Sequence, residues 1–308
     1  MTSLISNQTI SELFLSFSPF KKLLSEEKNF NDYQQLRLNA LDISNYPSEE
    51  KQYTLDSDVV ISYLFSEGPK DLTVLFLHGL GSSKSCFLEA FNFEELKSYK
   101  LLLPDLIGHG HSSTPKDFSY SMQEQATCLK QLLDNLPLSE DIVIVAHSMG
   151  GPIGIYLAKQ LKNRVIGLIF VEGNLDVRDC FFSKKIISEY GLELWEKNGF
   201  RKFLSKMEED PAFANYLPTF KQAGPLVIYK SAEALVWSSS YDQLIYQLVE
   251  LSVPTLAIFG ERNKGLFFSE KKLLEYFPVV YIPEASHNMM HENSAKFYDV
   301  IIDFLAQF

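Results

Sequence analysis

The chain has little cysteine, no dense cluster of lysine and arginine, and no long apolar run, and each shortage closes off a class of function. Its three thiols are Cys86, Cys128 and Cys180. An odd number without C-x-x-C spacing argues against a disulfide framework or a zinc site and fits a reducing cytoplasm, the expected location. Lysine and arginine total 28 against 39 aspartates and glutamates, a formal net charge of -11. With no basic cluster to follow a phosphate backbone, nucleic acid is not an expected partner. No apolar run approaches the roughly 18 residues that a membrane-spanning helix needs, so no transmembrane segment is expected. The start, "MTSLISNQTISELFLSFS", lacks a basic region and carries Glu12 where a secretory leader would be apolar. Internal repeats and low-complexity tracts are missing too, so organisation must be read from alternating strand and helix patterns.

Hydrophobic residues are plentiful: at 46% of 308 positions they suffice for one large core, as a single domain or as one domain with an insertion. Residues 1–50 read as an extension with an amphipathic helix. Thr9 and Glu12 stand at capping-box spacing, and Ile10, Leu13, Phe14 and Phe17 share a face before Pro19. From "KQYTLDSDVVISYLFSEG" two extended segments flank a turn at Asp56-Ser57-Asp58. Short apolar runs follow between helical stretches: "LTVLFLHGLG", "KLLLPDL", "DIVIVAHS", "RVIGLIFVEG", "VPTLAIFGE" and "PVVYIPEASH". Runs that do not alternate indicate strands covered on both faces, hence a mostly parallel, doubly wound α/β sheet over residues 51–174 and 252–308. Residues 175–251 are far longer than one crossover requires, read as mainly helical, and hold both tryptophans, Trp195 and Trp237. They are expected to form a helical cap inserted into the core.

In a parallel sheet, ligands bind beyond the carboxyl ends of the strands. Ser148 stands there, between "IVIVAH" and "MGGPIGIYLAKQL", on a strand, a sharp turn and a helix. That turn lifts a serine hydroxyl above the sheet, and the helix behind it offers unpaired N–H groups to an oxyanion. His78-Gly79-Leu80-Gly81 ends another strand in a flexible loop, a source of a second oxyanion donor. His287, in "EASHNMMHEN", lies beyond the last strand as a candidate general base.

"LHGLGSS", "LPDLIGHGHSS", "AHSMGG" and "SHNMMHE", taken in this order over positions 77–292, resemble the motifs of the α/β-hydrolase fold superfamily. The resemblance implies Ser148 as nucleophile, His287 as base, and the amides of Leu80 and Met149 as the oxyanion hole. It also implies no cofactor. His78 and His147 border the expected pocket as substrate-binding candidates, although histidines in such loops also hold loop geometry by hydrogen bonding. "HNMMHE" lacks the glutamate that a zinc-binding H-E-x-x-H requires, so no metal is expected.

Two positions depart from the family pattern. Ala146 replaces the first glycine of G-x-S-x-G, a small change in a tight turn. Where many relatives carry the triad aspartate after the next-to-last strand, this chain reads Gly260-Glu261-Arg262-Asn263. Asparagine in place of a triad aspartate costs about 10⁴ in turnover in a serine protease, because the histidine then takes the wrong tautomer. A carboxylate is therefore expected elsewhere. Glu172 ends the strand expected beside that of Ser148, and adjacent strands lie about 4.8 Å apart; it is preferred. Glu261 is the alternative acid, Asp179 stands behind it, and Asn263 is expected to be a plain loop residue. A carboxylate after a buried strand also serves simply to accept backbone hydrogen bonds. The expected activity is hydrolysis of an ester or thioester with an apolar moiety, a small-molecule substrate, through an acyl-enzyme on Ser148. Amide, lactone or carbon–carbon bond hydrolysis would use the same groups, and a non-catalytic ligand-binding protein on this fold is the rival from another class.

Overall fold

The apolar runs of the sequence become the strands of one eight-stranded sheet in the computed structural model, which describes residues 49–56 and 58–308. The helix expected at residues 9–17 lies outside them. The strands are β1 (Glu50–Thr54), β2 (Val60–Ser66), β3 (Thr73–Leu77), β4 (Lys100–Pro104), β5 (Ile142–His147), β6 (Val165–Val171), β7 (Thr255–Gly260) and β8 (Val279–Ile282). Their order is β1-β2-β4-β3-β5-β6-β7-β8. β1 pairs antiparallel with β2, and β2 with β4; every other pairing is parallel. The hairpin between β1 and β2 turns where Asp58, at φ 60°, donates its N–H to the Leu55 carbonyl.

Every residue of β3, β5 and β7 is buried, which explains the unbroken apolar runs: a strand covered on both faces has no solvent side to make polar. Alternate residues feed two cores. Leu75, Leu77, Ile142 and Ile144 pack beneath α1 (Met122–Asp134) and α2 (Gly150–Leu161), while Val74, Phe76, Val143 and Val145 face the opposite layer. Each such aliphatic side chain contributes about 1.5–3 kcal/mol by leaving water.

The interval between β6 and β7 is helical, as its composition implied. It holds α3 (Phe181–Glu189), α4 (Phe200–Glu208), α5 (Leu217–Tyr241) and α6 (Leu244–Glu250). α5 is kinked at Gly224, whose φ of 77° and ψ of 170° are not helical, and at Pro225, which has no N–H to give. The indole of the fully buried Trp195 donates to the Pro225 carbonyl at 2.8 Å and stands among the rings of Tyr190, Phe200 and Phe203. The other tryptophan, Trp237, is 54% exposed and takes no part in that core. Beyond β7 the chain forms α7 (Phe268–Tyr276) and, after a short turn of helix at Met289–Glu292, α8 (Ser294–Leu305). Among the described residues no helix is long and apolar enough to cross a membrane.

Candidate active site

Ser148 follows β5 in the left-handed region, at φ 53°, a conformation that costs a non-glycine residue of order 1–3 kcal/mol and persists only where its surroundings enforce it. The enforcement is visible. The Ser148 N–H donates to the Val171 carbonyl at 3.0 Å, and the chain enters α2 immediately afterwards. A Cβ at Gly150 would lie 2.5 Å from the Leu77 carbonyl oxygen, and one at Gly79 only 2.9 Å from Ser148 Cβ, so both neighbours must be glycine for the turn to close. Ala146 is accommodated for a related reason: it faces Gly154 of α2, where an added Cβ would meet the Ala146 methyl at 3.2 Å.

Glu172, just past the end of β6, is fully buried and has φ 39°. Its Oε2 lies 2.7 Å from His287 Nδ1, and its Oε1 accepts the Gly260 N–H at 2.8 Å. Asn263, expected as a plain loop residue, is buried and turns its amide NH₂ to both carboxylate oxygens, at 3.1 and 2.9 Å. The physical reason for this difference is that a buried carboxylate needs donors to replace water; the residue standing where relatives carry an aspartate supplies two of the contacts. Glu261 is exposed and accepts the Glu284 N–H at 3.2 Å; its carboxylate makes no bond to His287. Asp179 is spent on the first amides of α7, accepting from Phe268 at 2.5 Å and from Ser269 at 3.3 Å.

His287 stands after β8, its side chain 40% exposed. Ser286 ties its loop down by donating both its N–H and its hydroxyl to Glu292. The Phe267 ring lies nearly parallel to the imidazole, 6.3 Å between centroids. Ser148 Oγ donates to Asn174 Oδ1 at 3.3 Å, and Asn174 Nδ2 in turn donates to the Asp179 carbonyl at 2.9 Å. No hydrogen bond joins Ser148 to His287 among the described residues; both border one cleft. Asn174 escaped notice in the sequence because nothing in "VEGN" distinguishes a loop asparagine from one beside a serine on another strand.

The other histidines divide. His147 lines the cleft, buried, and donates from Nε2 to the His287 carbonyl at 2.9 Å, while Nδ1 has no partner among the described residues. Burial, and next the neighbouring His287, hold its pKa well below the usual imidazole value, so it is neutral. His78 corrects the expectation of a substrate contact. It is completely buried behind the loop it begins, donating from Nδ1 to the Gly79 carbonyl at 2.9 Å and accepting the Leu106 N–H at Nε2 at 3.0 Å. With both ring nitrogens committed and burial pushing its pKa down to about 4, it braces the loop and does not reach the cleft. The amides of Leu80 and Met149 have no acceptor among the described residues.

The cleft has a volume of about 260 Å³. Ser148, His147, His287 and Leu80 line it, and Phe181, Phe182, Phe213, Tyr216, Leu235 and Phe267 make its walls mainly apolar. Among the described residues no group of three or more His, Cys, Asp or Glu side chains could hold a metal ion.

The fold has counterparts among known proteins. Lipase 1 of Psychrobacter immobilis is 34% identical over 265 residues, which span 79% of this chain and 80% of the relative. Residues 73–186 match the family model of the alpha/beta hydrolase fold. The chain belongs to the α/β-hydrolase fold family. Solved members superpose closely: an N-acyl homoserine lactonase bound to N-hexanoyl homoserine has a TM-score of 0.68 at 21% identity, covering 84% of this chain and 97% of that one. An esterase from Thermogutta terrifontis has a TM-score of 0.67 at 18% identity, covering 84% and 98%. Identities this low establish shared architecture. Together with the family model, the lipase relative makes this α/β-hydrolase-fold protein a hydrolase.

Proposed function

We propose that the protein is a serine hydrolase of esters or thioesters with an apolar acyl or alcohol group, working through an acyl-enzyme on Ser148, with the helical insertion acting as the cap over its cleft. The observation that carries this reading is the buried Glu172 carboxylate, fixed by Gly260 and Asn263 and set 2.7 Å from His287 Nδ1, in a cleft that His287 shares with Ser148. A carboxylate at Nδ1 holds the proton there and leaves Nε2 as the base. Rotation of the serine side chain takes its hydroxyl from Asn174 to that nitrogen; catalytic hydrogen bonds of this kind are often open before substrate arrives.

Ser148 Oγ then attacks the carbonyl carbon as its proton passes to His287 Nε2. The carbonyl oxygen takes negative charge toward the free amides of Leu80 and Met149. Collapse breaks the bond to the alcohol or thiol, which leaves with the proton from His287. A water molecule gives a proton to His287 and its oxygen to the acyl carbon, and the acid departs as Ser148 recovers its proton. The aromatic walls explain the apolar preference, since burying a chain against them removes both surfaces from water.

Hydrolysis of p-nitrophenyl esters of increasing acyl length, beside Ser148→Ala, tests the reading. Turnover by the wild type alone, peaking at one length, is the expected result. Equal, background rates for both proteins with every ester, together with no fluorophosphonate labelling of the wild type, would sink it in favour of a binding protein.

A further inference from the structure

Two carbonyls flank the Leu80 α-carbon, and each is held from a different part of the molecule. The Gly79 carbonyl accepts from His78 Nδ1, within the sheet body, and from the Ser82 N–H at 3.2 Å. The Leu80 carbonyl accepts the hydroxyl of Tyr216 at 2.5 Å, and Tyr216 belongs to the insertion, immediately before α5. The next residue, Gly81, has φ 66°, and an added Cβ there would lie 2.4 Å from the Phe220 ring, 2.7 Å from Tyr216 Oη and 3.1 Å from Ile228. The insertion therefore rests directly on this loop.

Peptide units are planar, with N–H and C=O on opposite sides. Fixing the Gly79 carbonyl toward His78 turns the Leu80 N–H the other way, and fixing the Leu80 carbonyl sets the second plane. The N–H belongs to the first plane, and holding the second from Tyr216 anchors the Leu80 α-carbon on which that plane pivots, so the donor keeps its place as well as its direction. Preorganised donors stabilise a developing oxyanion because they need not reorient during the reaction, and losing one costs about 10²–10³ in turnover.

We infer that Tyr216 is a positioning residue for the reaction: by holding the Leu80 carbonyl from the insertion, it sets the Leu80 amide for the oxyanion, so the oxyanion hole is complete only while the insertion is seated. This rests on the serine-hydrolase reading above. The role differs from that of the neighbouring aromatic walls, which affect how tightly substrate is held; Tyr216 acts on the transition state through Leu80. The hydroxyl itself is buried in apolar surroundings that push its pKa far above the usual phenol value, so it stays protonated and remains a donor.

Tyr216→Phe tests the inference beside Tyr229→Phe, which deletes a similar bond inside the insertion, from the Tyr229 hydroxyl to the Tyr190 carbonyl, away from the cleft. With the best p-nitrophenyl ester, Tyr216→Phe is expected to lower kcat about ten- to a hundredfold with KM within about twofold, consistent with the sensitivity of catalysis to small misplacements. The inhibition constant of a trifluoromethyl ketone, which forms a tetrahedral adduct on serine, should rise by the same factor. Tyr229→Phe should keep the wild-type kcat. Wild-type kcat in Tyr216→Phe, a rise in KM alone, or an equal fall in both variants overturns the assignment. Fluorophosphonate labelling separates the two levels. If the wild type does not label, the serine-hydrolase reading fails and this inference falls with it; if the wild type labels and Tyr216→Phe labels as fast, only the role of Tyr216 is lost. Should Tyr216→Phe melt below the assay temperature, Phe220→Leu, which loosens the seat and keeps the hydroxyl, is expected to lower kcat with less effect on KM; unchanged kcat there overturns the inference.

Discussion

Glu172 and Asn263 behave as one unit. The carboxylate is fully buried, and its charge is sustained by three N–H contacts from Gly260 and Asn263 and by His287. Glu172→Gln keeps the shape but puts an amide against His287 Nδ1, which disfavours the tautomer that leaves Nε2 free. Turnover should fall by about two orders of magnitude or more, judged against the roughly 10⁴ seen for the equivalent change in a serine protease. Asn263→Ala removes two of those contacts, and on the sequence alone it would be expected to change little. With the hydrogen bonds in view, kcat should fall several-fold, because the carboxylate that orients His287 loses its lateral support. Steady-state kinetics on both variants check this; near-normal kcat in Glu172→Gln removes the residue from the triad.

At the level of elements, Asp179 joins the short turn that leaves β6 to the start of α7, accepting N–H groups from Asp176, Phe268 and Ser269. Burial raises its carboxyl to about 6, against the hydrogen bonds that lower it. A folded-state value above the unfolded one means that the folded chain binds the proton more tightly. The group's contribution to stability is therefore complete below about pH 4 and is lost as pH rises through about 6. Asp179→Asn removes the charge and retains an acceptor for Phe268. Its melting temperature relative to wild type should be higher at pH 8 than at pH 4.5; a difference independent of pH would show that the charge carries no burial cost. The same elements show what sequence could reveal. Strands were legible because burial on both faces leaves no polar alternation, and Ser148, Glu172 and His287 because each follows such a run. Asn174, Asn263 and Tyr216 were not, since an amide or phenol gains its role from the group that another strand or helix brings beside it, and the insertion carries no spacing tied to the sheet. His78 misled for the complementary reason: its position in the loop is legible, but the direction of its ring is set by Leu106, on a different strand end.

The molecule as a whole is acidic, with a formal net charge of -11. Asp179, Asp210 and Glu292 border the cleft against a single lysine, Lys185, which lies 3.4 Å from Glu189. Such a field repels anions from the entrance and is weakened by salt. The p-nitrophenyl half ester of a six-carbon diacid should therefore show kcat/KM at least about tenfold below that of the hexanoate at low ionic strength, and the gap should narrow as salt is added. Equal rates would mean that Lys185 offsets the acidic rim. The sheet order also bears on how such a site can change over generations. β6 and β7 are neighbours, and the side chains of Glu172 and Asn263 meet at one point beside His287. A carboxylate arriving from either strand end would occupy nearly the same place. A lineage that passed through a chain with acids at both positions could transfer the post from one strand to the other without ever leaving the histidine unattended, so the location of the charge can outlast the residue that first supplied it.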